Sequence, residues 1–258
     1  MELMQHIPNK SVDMILCDLP YGTTDAKWDL ELPIDKLWRE YNRIIKDKGA
    51  IVLTCREPFT SKLVMSNLKM FKHKWIWNKK LTGNFALAKY MPLQIEEDIL
   101  VFCKNTVNYY PIMRKGKARS KGTKTPNDEK RSETVSGLRN NNPYEIYDEY
   151  YPVNILEFPN TDRKNISHPT QKPVSLFRYL IKTYTNEGEL VLDNCIGSGT
   201  TAVACKQANR NFIGIELSQE YVDIANKRLQ QDNLHAFFQT QGVLTEPSPN
   251  KGYEVNQK

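Results

Sequence analysis

Two short segments of the chain carry side chains suited to chemistry, and each directly follows a run of apolar residues. The first is Asp18-Leu19-Pro20-Tyr21, which comes after the apolar residues 12–17. The Asp18 carboxylate and the Leu19 carbonyl, which Pro20 holds in a turn, can both accept hydrogen bonds from an exocyclic amine. Tyr21 offers an aromatic face to a base that has left its stack. Because such turns are also common as purely structural elements, this segment gains meaning only beside the second one.

The second segment is a glycine turn, residues 193–200, with the sequence Asp-Asn-Cys-Ile-Gly-Ser-Gly-Thr. Gly197 and Gly199 let the backbone approach a ligand closely, and the helix predicted to follow begins with free amide groups. Glu216 ends the next predicted strand, where a carboxylate can accept hydrogen bonds from both ribose hydroxyls of a nucleoside. Together these features predict a nucleoside-binding crevice.

The glycine turn leaves more than one ligand open. Gly197-x-Gly199-x-x-Ala202 satisfies the loose dinucleotide fingerprint, so a nicotinamide or flavin enzyme is an alternative. Asp193 would repel a pyrophosphate and could bind a cationic amino-acid group, which favours S-adenosylmethionine. The lysine of a phosphate-binding GxxxxGK[ST] loop is absent from the turn, which argues against a nucleoside triphosphatase.

The apolar pattern around both segments predicts an α/β fold. Continuously apolar strands suit a mostly parallel sheet that helices cover on both faces. We expect strands at residues 12–17, 50–54, 73–77, 98–103, 190–192 and 212–215. We expect helices at residues 34–45, 59–68, 173–184, 200–207 and 218–231.

Composition narrows the class of protein. The 258 residues are 40% hydrophobic and 26% charged, which predicts one large globular domain or a domain with a sizeable insertion. No apolar stretch reaches the length of a membrane-spanning helix, and the amino terminus lacks a signal-peptide pattern. The five cysteines are scattered without a CxxC pair, so neither a disulfide framework nor a zinc site is indicated. We therefore expect a cytoplasmic protein with no membrane contact and no metal.

Residues 104–167 differ in character from the rest of the chain. Asn, Pro, Tyr and Lys accumulate there without an apolar period, which predicts an insertion, and residues 236–258 predict a tail. The net charge of +6 indicates only a weak bias toward polyanions, but basic residues concentrate in residues 114–131. Such a run is usually a solvated loop, and in a protein that holds DNA it could contact the phosphate backbone.

Taken in order, these segments make the chain resemble the beta group of DNA amino-methyltransferases, the permuted class that methylates adenine N6 or cytosine N4. The resemblance rests on residues 18–21, 193–200 and 212–217, and on 168–173 with the helix after it, and it covers roughly two thirds of the chain. It implies a Rossmann-like, circularly permuted, S-adenosylmethionine-dependent fold. Residues 1–103 would form the catalytic half, 104–167 the inserted target-recognition region and 168–235 the cofactor-binding half.

The resemblance also implies roles for individual residues. The catalytic residues would be Asp18, Leu19, Pro20 and Tyr21. The cofactor would be bound by Asp193, Cys195, Gly197, Ser198, Gly199, Thr200, Glu216, Leu217, Thr170, Lys172 and Pro173. Double-stranded DNA would be contacted by Lys79, Lys80, Asn84, Arg114, Lys115, Lys117, Arg119, Lys121, Lys124 and Arg139.

An aspartate at the first catalytic position is more typical of adenine-N6 enzymes, so the resemblance favours site-specific methylation of adenine N6. Cytosine N4 is one alternative, and an RNA base or a protein glutamine amide is another. A DNA-binding remnant without catalysis is a third alternative. Family members usually carry a Gly-Asp strand end before a segment such as Glu2–His6, and this sequence does not include it. A homodimer and a cognate restriction endonuclease are further candidate partners.

Three positions depart from the family pattern. Leu19 replaces the more common proline, which a residue acting through its carbonyl should tolerate. Asn194 stands where a proline is common, and Cys195 stands where an aromatic residue is common. We expect these two changes to weaken the affinity for the cofactor.

Overall fold

The computed structural model describes residues 2–21, 32–80, 82, 85–120, 146–159 and 171–240. Short 3-10 turns occur at Glu2–His6 and Phe85–Leu87. The strands are β1 (Val12–Asp18), β2 (Ile45–Cys55), β3 (Phe71–Asn78), β4 (Glu96–Phe102), β5 (Arg114–Ser120), β6 (Ile146–Tyr150), β7 (Ile155–Glu157), β8 (Leu190–Asp193) and β9 (Asn211–Gly214). The helices are α1 (Ile34–Ile44), α2 (Phe59–Ser66), α3 (Val174–Tyr184), α4 (Thr200–Gln207) and α5 (Gln219–Thr240).

Seven strands form the main sheet in the order β7-β3-β4-β2-β1-β8-β9. β4 runs antiparallel to β2 and β3, and the other neighbouring pairs are parallel. The prediction of an α/β fold with a mostly parallel sheet is therefore confirmed. In this order β1 lies between β2 and β8, so two regions that are far apart along the chain form the centre of the sheet.

Helices cover both faces of the sheet, which explains why residues 14–17 of β1 are continuously apolar. Ile15 and Cys17 of β1 belong to a buried cluster that also contains Leu37 of α1 and Leu63 of α2. Met14 and Leu16 point the opposite way and pack with α3 and α4. A strand with both faces buried needs apolar side chains at successive positions, as the sequence analysis inferred for residues 12–17.

The register of the central strands sets where the polar residues at their ends lie. Asp18 at the end of β1 lies beside Thr54 at the end of β2. Ile15 of β1 lies beside Leu192 of β8, so β8 also ends next to β1. Because β1, β2, β8 and β9 are parallel, their carboxyl ends meet at one side of the sheet, which we call the carboxyl edge.

The predicted insertion contains two different structures. β5 and β6 form a separate two-stranded antiparallel sheet, and the sequence analysis did not predict a strand in the basic segment that forms β5. β7 instead joins the main sheet, parallel to β3. The boundaries proposed for the four segments of the chain remain a prediction.

None of the helices in the described part of the chain combines the length and the apolar character needed to cross a bilayer.

The hydroxyl of Tyr184 joins α3 to β3. Trp75 donates its indole N–H to that oxygen at 2.6 Å, and His73 Nε2 lies 2.8 Å from it. We expect Tyr184→Phe to lower the free energy of unfolding by about 1–3 kcal/mol, because a buried indole donor loses its acceptor. Urea titration measures this loss. Tyr110→Phe, which removes an exposed acceptor of the Asn186 amide, is the matched control and should change stability much less.

Candidate active site

Asp18 is held at both carboxylate oxygens. Its Oδ1 accepts hydrogen bonds from the Thr54 hydroxyl and, at 2.8 Å, from the Tyr21 hydroxyl. Its Oδ2 accepts a hydrogen bond from Lys172 Nζ at 2.6 Å. Each carboxylate oxygen has two lone pairs, so Oδ2 keeps one for an incoming amine.

The other residues of the predicted catalytic turn surround this carboxylate. Leu19 is buried in the core, Pro20 is half-buried, and the Tyr21 ring packs against Phe59 at a centroid distance of 5.4 Å. Burial, together with the Asp18 carboxylate, raises the pKa of Tyr21 well above its ordinary value. The phenol therefore keeps its proton and stays a donor to Asp18, so its hydroxyl is occupied while its ring is only partly covered.

Lys172 was expected to border the cofactor, and the structure places its ammonium on Asp18. The segment before α3 brings this nearly buried side chain to the end of β1. Lys172 Nζ also lies 3.4 Å from Glu97 Oε2, and Lys79 Nζ lies 3.1 Å from Glu97 Oε1. The residue therefore links the predicted cofactor half of the chain to the predicted catalytic half.

Two of these contacting residues were missed by the sequence analysis. Thr54 is the polar residue near the end of an apolar strand next to β1, and Glu97 belongs to the acidic run 96–98 that opens β4. A polar residue at the edge of a buried strand was the available signal for each. The sequence does not show that β2 and β4 are neighbours, however, so the signal could not be tied to Asp18.

The glycine turn follows β8 at the carboxyl edge. Gly197 has a φ of +50°, and a Cβ built on it would meet nothing within 4 Å, so the space above this residue is open. Gly199 has a φ of +83° and precedes α4, where a Cβ would lie 2.7 Å from the Cβ of Ala225 in α5. Gly197 thus provides the accessible backbone, and Gly199 lets α5 pack close behind the turn.

The buried Asp193 carboxylate forms hydrogen bonds with residues of this turn and of α4. It accepts hydrogen bonds from the Cys195 backbone N–H at 3.0 Å and from the Thr201 hydroxyl. Burial raises the pKa of Asp193 to about 6, although these hydrogen bonds oppose the rise. The carboxylate is therefore already engaged by the protein, whereas the sequence analysis considered it as a ligand for a cationic group.

Glu216 follows β9 and lies across from Gly197. Its Oε2 accepts a hydrogen bond from the Gly197 N–H at 2.9 Å, and its Oε1 accepts from the backbone N–H groups of Leu217 and Ser218. A carboxylate has about four acceptor positions, so capacity remains for a ribose hydroxyl. An acceptor beside an open glycine backbone fits the nucleoside part of S-adenosylmethionine.

The departures from the family pattern have partners in the structure. Asn194 Oδ1 accepts a hydrogen bond from the buried Tyr41 hydroxyl of α1. Cys195 is half-buried and packs against the cluster that contains Cys17. Both residues help attach the glycine turn to the face of the sheet that α1 covers.

The remaining predicted cofactor residues occupy different environments. Ser198 and Thr200 are buried, and their hydroxyls lie 3.2 Å from Gln171 Oε1 and 3.4 Å from the Lys172 carbonyl oxygen respectively. Pro173 is buried directly before α3, whereas Leu217 is 99% exposed. Thr170 lies outside the described residues. Among the described residues, no cluster of His, Cys, Asp or Glu could hold a metal ion.

The predicted DNA-binding residues lie in two places. Lys79 and Lys80 directly follow β3, where Lys79 pairs with Glu97 and Lys80 pairs with the exposed Glu157 at 2.7 Å. Four exposed basic residues lie on β5, namely Arg114, Lys115, Lys117 and Arg119. Lys115 is paired with Asp148 and Glu149 of β6, and Arg119 lies over the Tyr150 ring. The other four, Asn84, Lys121, Lys124 and Arg139, lie outside the described residues.

We expect Gly199→Ala to destabilise the protein by about 2–4 kcal/mol, because the left-handed backbone strains an alanine and the added methyl overlaps Ala225. Gly188→Ala is the matched control, since Gly188 has a φ of +79° but nothing within 4 Å of its Cβ position. The control should cost only about 1–2 kcal/mol of backbone strain. Equal losses in thermal unfolding would contradict the packing role of Gly199.

The raised pKa of Asp193 predicts a pH-dependent stability. The folded state holds its proton up to pH about 6, above the ordinary value of 3.8, so this residue makes folding less favourable as pH rises through that window. The free energy of unfolding of Asp193→Asn, taken relative to that of the unsubstituted chain, should therefore rise by up to about 3 kcal/mol as the pH increases from about 4 to about 7. Urea unfolding across this range measures the gain. Asp223→Asn, at an exposed position on α5, is the control substitution.

Comparison with known proteins places the chain in a family. The model of the N6/N4 DNA methylase family matches residues 12–227. The Type II methyltransferase M.HpaI of Haemophilus parainfluenzae is 30% identical over 241 residues, which cover 89% of this chain and 71% of that protein. The DNA adenine methyltransferase YhdJ of Escherichia coli is 31% identical over 242 residues, which cover 88% of this chain and 79% of that protein.

Solved structures agree with this placement. The M1.HpyAVI complex with SAM has a TM-score of 0.57 at 26% identity and covers 88% of this chain and 92% of that chain. PvuII DNA methyltransferase, described as cytosine-N4-specific, has a TM-score of 0.62 and covers 94% and 90%, and its 14% identity shows a shared fold only. The family resemblance predicted from the four sequence segments is confirmed, and the chain belongs to the N6/N4 DNA methylases.

Proposed function

We propose that this chain transfers a methyl group from S-adenosylmethionine to the N6 amine of adenine in DNA. One observation carries the proposal: the Asp18 turn and the glycine turn follow the neighbouring parallel strands β1 and β8 at the same carboxyl edge. Residues almost 180 positions apart in sequence therefore follow adjacent strands at one edge of the sheet, an arrangement that would suit a reaction between two bound molecules.

Different residues would bind the target amine, the base and the cofactor. Asp18 Oδ2 and the Leu19 carbonyl would accept the two N–H bonds of the amine, which orients the nitrogen lone pair toward the methyl donor. The exposed part of the Tyr21 ring would stack on the base. Gly197 and Glu216 would hold the nucleoside part of the cofactor, which supplies an activated sulfonium methyl group. The N–C bond would form as the S–C bond breaks, which leaves S-adenosylhomocysteine, and the methylated nitrogen would then release its proton to water.

Adenine is the preferred base for two reasons. The first catalytic position is an aspartate, which the family resemblance associates with adenine, and the relative YhdJ is named a DNA adenine methyltransferase. The name of M.HpaI as a Type II methyltransferase supports a place for this chain in restriction and modification, with an endonuclease of the same specificity as its partner. A homodimer stays a prediction that sedimentation can test.

The exposed cations of β5 would contact the DNA backbone. Lys117 and Arg119 would contribute most, because the acidic residues of β6 already neutralise Lys115. Phosphate contacts of this kind position the duplex without reading its sequence.

Methyl transfer from labelled S-adenosylmethionine to duplex DNA tests the proposal. We expect N6-methyladenine after digestion to nucleosides, and Asp18→Ala should slow transfer by about 10²- to 10³-fold because the amine loses its charged acceptor. Calorimetry should show that Asp18→Ala still binds the cofactor. Glu216→Ala should weaken that binding about tenfold or more. Glu220→Ala, at an exposed position on α5, is the control.

The product and the binding heat separate the alternatives. If the product is N4-methylcytosine, the target base is cytosine and the proposal of adenine is wrong. Methylated RNA or protein without methylated DNA would contradict the proposed substrate. DNA binding without any heat from S-adenosylmethionine would identify a remnant without catalysis.

A further inference from the structure

Four charged side chains from separate parts of the chain form a connected cluster at the carboxyl edge. Lys172 Nζ lies 2.6 Å from Asp18 Oδ2 and 3.4 Å from Glu97 Oε2. Lys79 Nζ lies 3.1 Å from the other Glu97 oxygen. The members come from β1, β4, the residue after β3 and the segment before α3. Glu97 thus touches Asp18 only through Lys172.

The Lys172 ammonium is nearly enclosed, with 9% of its side chain exposed. Enclosure removes water from a charge and therefore favours the neutral amine. Although burial lowers the pKa of Lys172, the Asp18 and Glu97 carboxylates more than offset this and hold the pKa above its ordinary value. Both carboxylates therefore help to keep this lysine charged.

Glu97 has an oxygen whose role the rest of the fold does not explain. Its Oε2 is buried and accepts no hydrogen bond from any of the described residues. A buried carboxylate oxygen without a donor is costly, so its position calls for a reason. The Lys172 ammonium, 3.4 Å from Oε2, explains the position of this oxygen by its positive charge, while Oε1 is paired with Lys79.

We propose that Glu97 is a positioning residue for methyl transfer: it keeps the Lys172 side chain charged and directed at Asp18, so that the Asp18 carboxylate is fixed for the target amine. The inference rests on the proposed function. Thr54 and Tyr21 fix one oxygen of Asp18, and Lys172 fixes the other. A neutral lysine would lose the charge-assisted bond that fixes Oδ2, and the carboxylate could then turn away from the amine.

The groups that face Lys172 determine how its charge responds to pH. They are Asp18 of β1 and Glu97 of β4, with Lys79, which follows β3, behind Glu97 and the Tyr21 phenol beside Asp18. Glu97→Gln keeps the shape of the side chain and removes its charge. Lys172 then has one carboxylate partner in an enclosed site and loses its proton at a lower pH.

The test compares kcat as a function of pH for the unsubstituted chain and Glu97→Gln. We expect the unsubstituted chain to stay flat over about pH 7 to 10, because Lys172 keeps its proton. Glu97→Gln should lower kcat about ten- to a hundredfold, and its kcat should fall further as pH rises in this range. The KM for S-adenosylmethionine should change little, since Glu97 contacts Lys172 and Lys79 rather than the glycine turn.

Glu40→Gln is the matched control. Glu40 is 14% exposed and pairs with Arg43 at 2.8 Å, while Glu97 is 13% exposed, so both substitutions remove a nearly buried, paired carboxylate. Glu40 lies on α1, away from the Asp18 cluster. The control should keep a flat pH profile with any loss confined to stability.

A nitrogen-detected NMR titration of the Lys172 amine, assigned by its loss in Lys172→Gln, measures the same charge without cofactor or DNA. A lower pKa of Lys172 in Glu97→Gln supports the inference, and an unchanged one overturns it. A loss of kcat that is equal at every pH also overturns it. If the unsubstituted chain transfers no methyl group, the proposed function fails, while this titration still tests the link between Glu97 and Lys172.

Glu97→Asp keeps the experiment decisive if Glu97→Gln does not fold. This variant retains the negative charge but shortens the side chain by one methylene group. We expect a reduced kcat with a flat pH profile, because Lys172 stays charged but is less well aimed. A profile that falls with pH in Glu97→Asp would contradict the role assigned to the charge.

Discussion

The site depends on one structural constraint, the parallel pairing of β1 with β8. Both strands are buried inside the sheet, and their register sets the ends of the two strands side by side. The Asp18 turn and the glycine turn are therefore neighbours without a long loop reaching from one to the other. Lys172, just before α3, contacts both turns. Its ammonium lies on Asp18, and its carbonyl oxygen lies 3.4 Å from the Thr200 hydroxyl at the end of the glycine turn.

Two aspartates at this edge carry out different tasks because their surroundings differ. Asp18 lies beside a cation and two hydroxyl donors, and 26% of its side chain is exposed. Asp193 is enclosed among neutral donors, and burial raises its pKa to about 6. The first is suited to accept protons of an amine in hydrogen bonds, and the second holds the glycine turn together. Residue type alone does not separate these roles, whereas the charge and burial around each carboxylate do.

Sequence patterns predicted the elements whose signal is local. The mostly apolar strand β1, the helix α1 and the glycine turn after β8 all lie within a few residues of where they were expected. β7 has only three residues and pairs with β3, which lies about 80 residues earlier in the sequence, so no local pattern could indicate it. The same reason applies to the site. Asp18 and Glu216 follow predicted strands, but the contact of Lys172 with Asp18 and the place of Glu97 arise from strand order, which a single sequence does not contain.

The position of β1 has a consequence for how the molecule is made. During synthesis the first half of the chain emerges with β1, β2, β3 and β4, and β1 then has a neighbour on one side only. Its other neighbour, β8, emerges after residue 190. Until then one long edge of an apolar strand has no partner, and such edges invite pairing with other chains. A nascent chain of this topology therefore remains open to aggregation on the ribosome until most of its length has been translated.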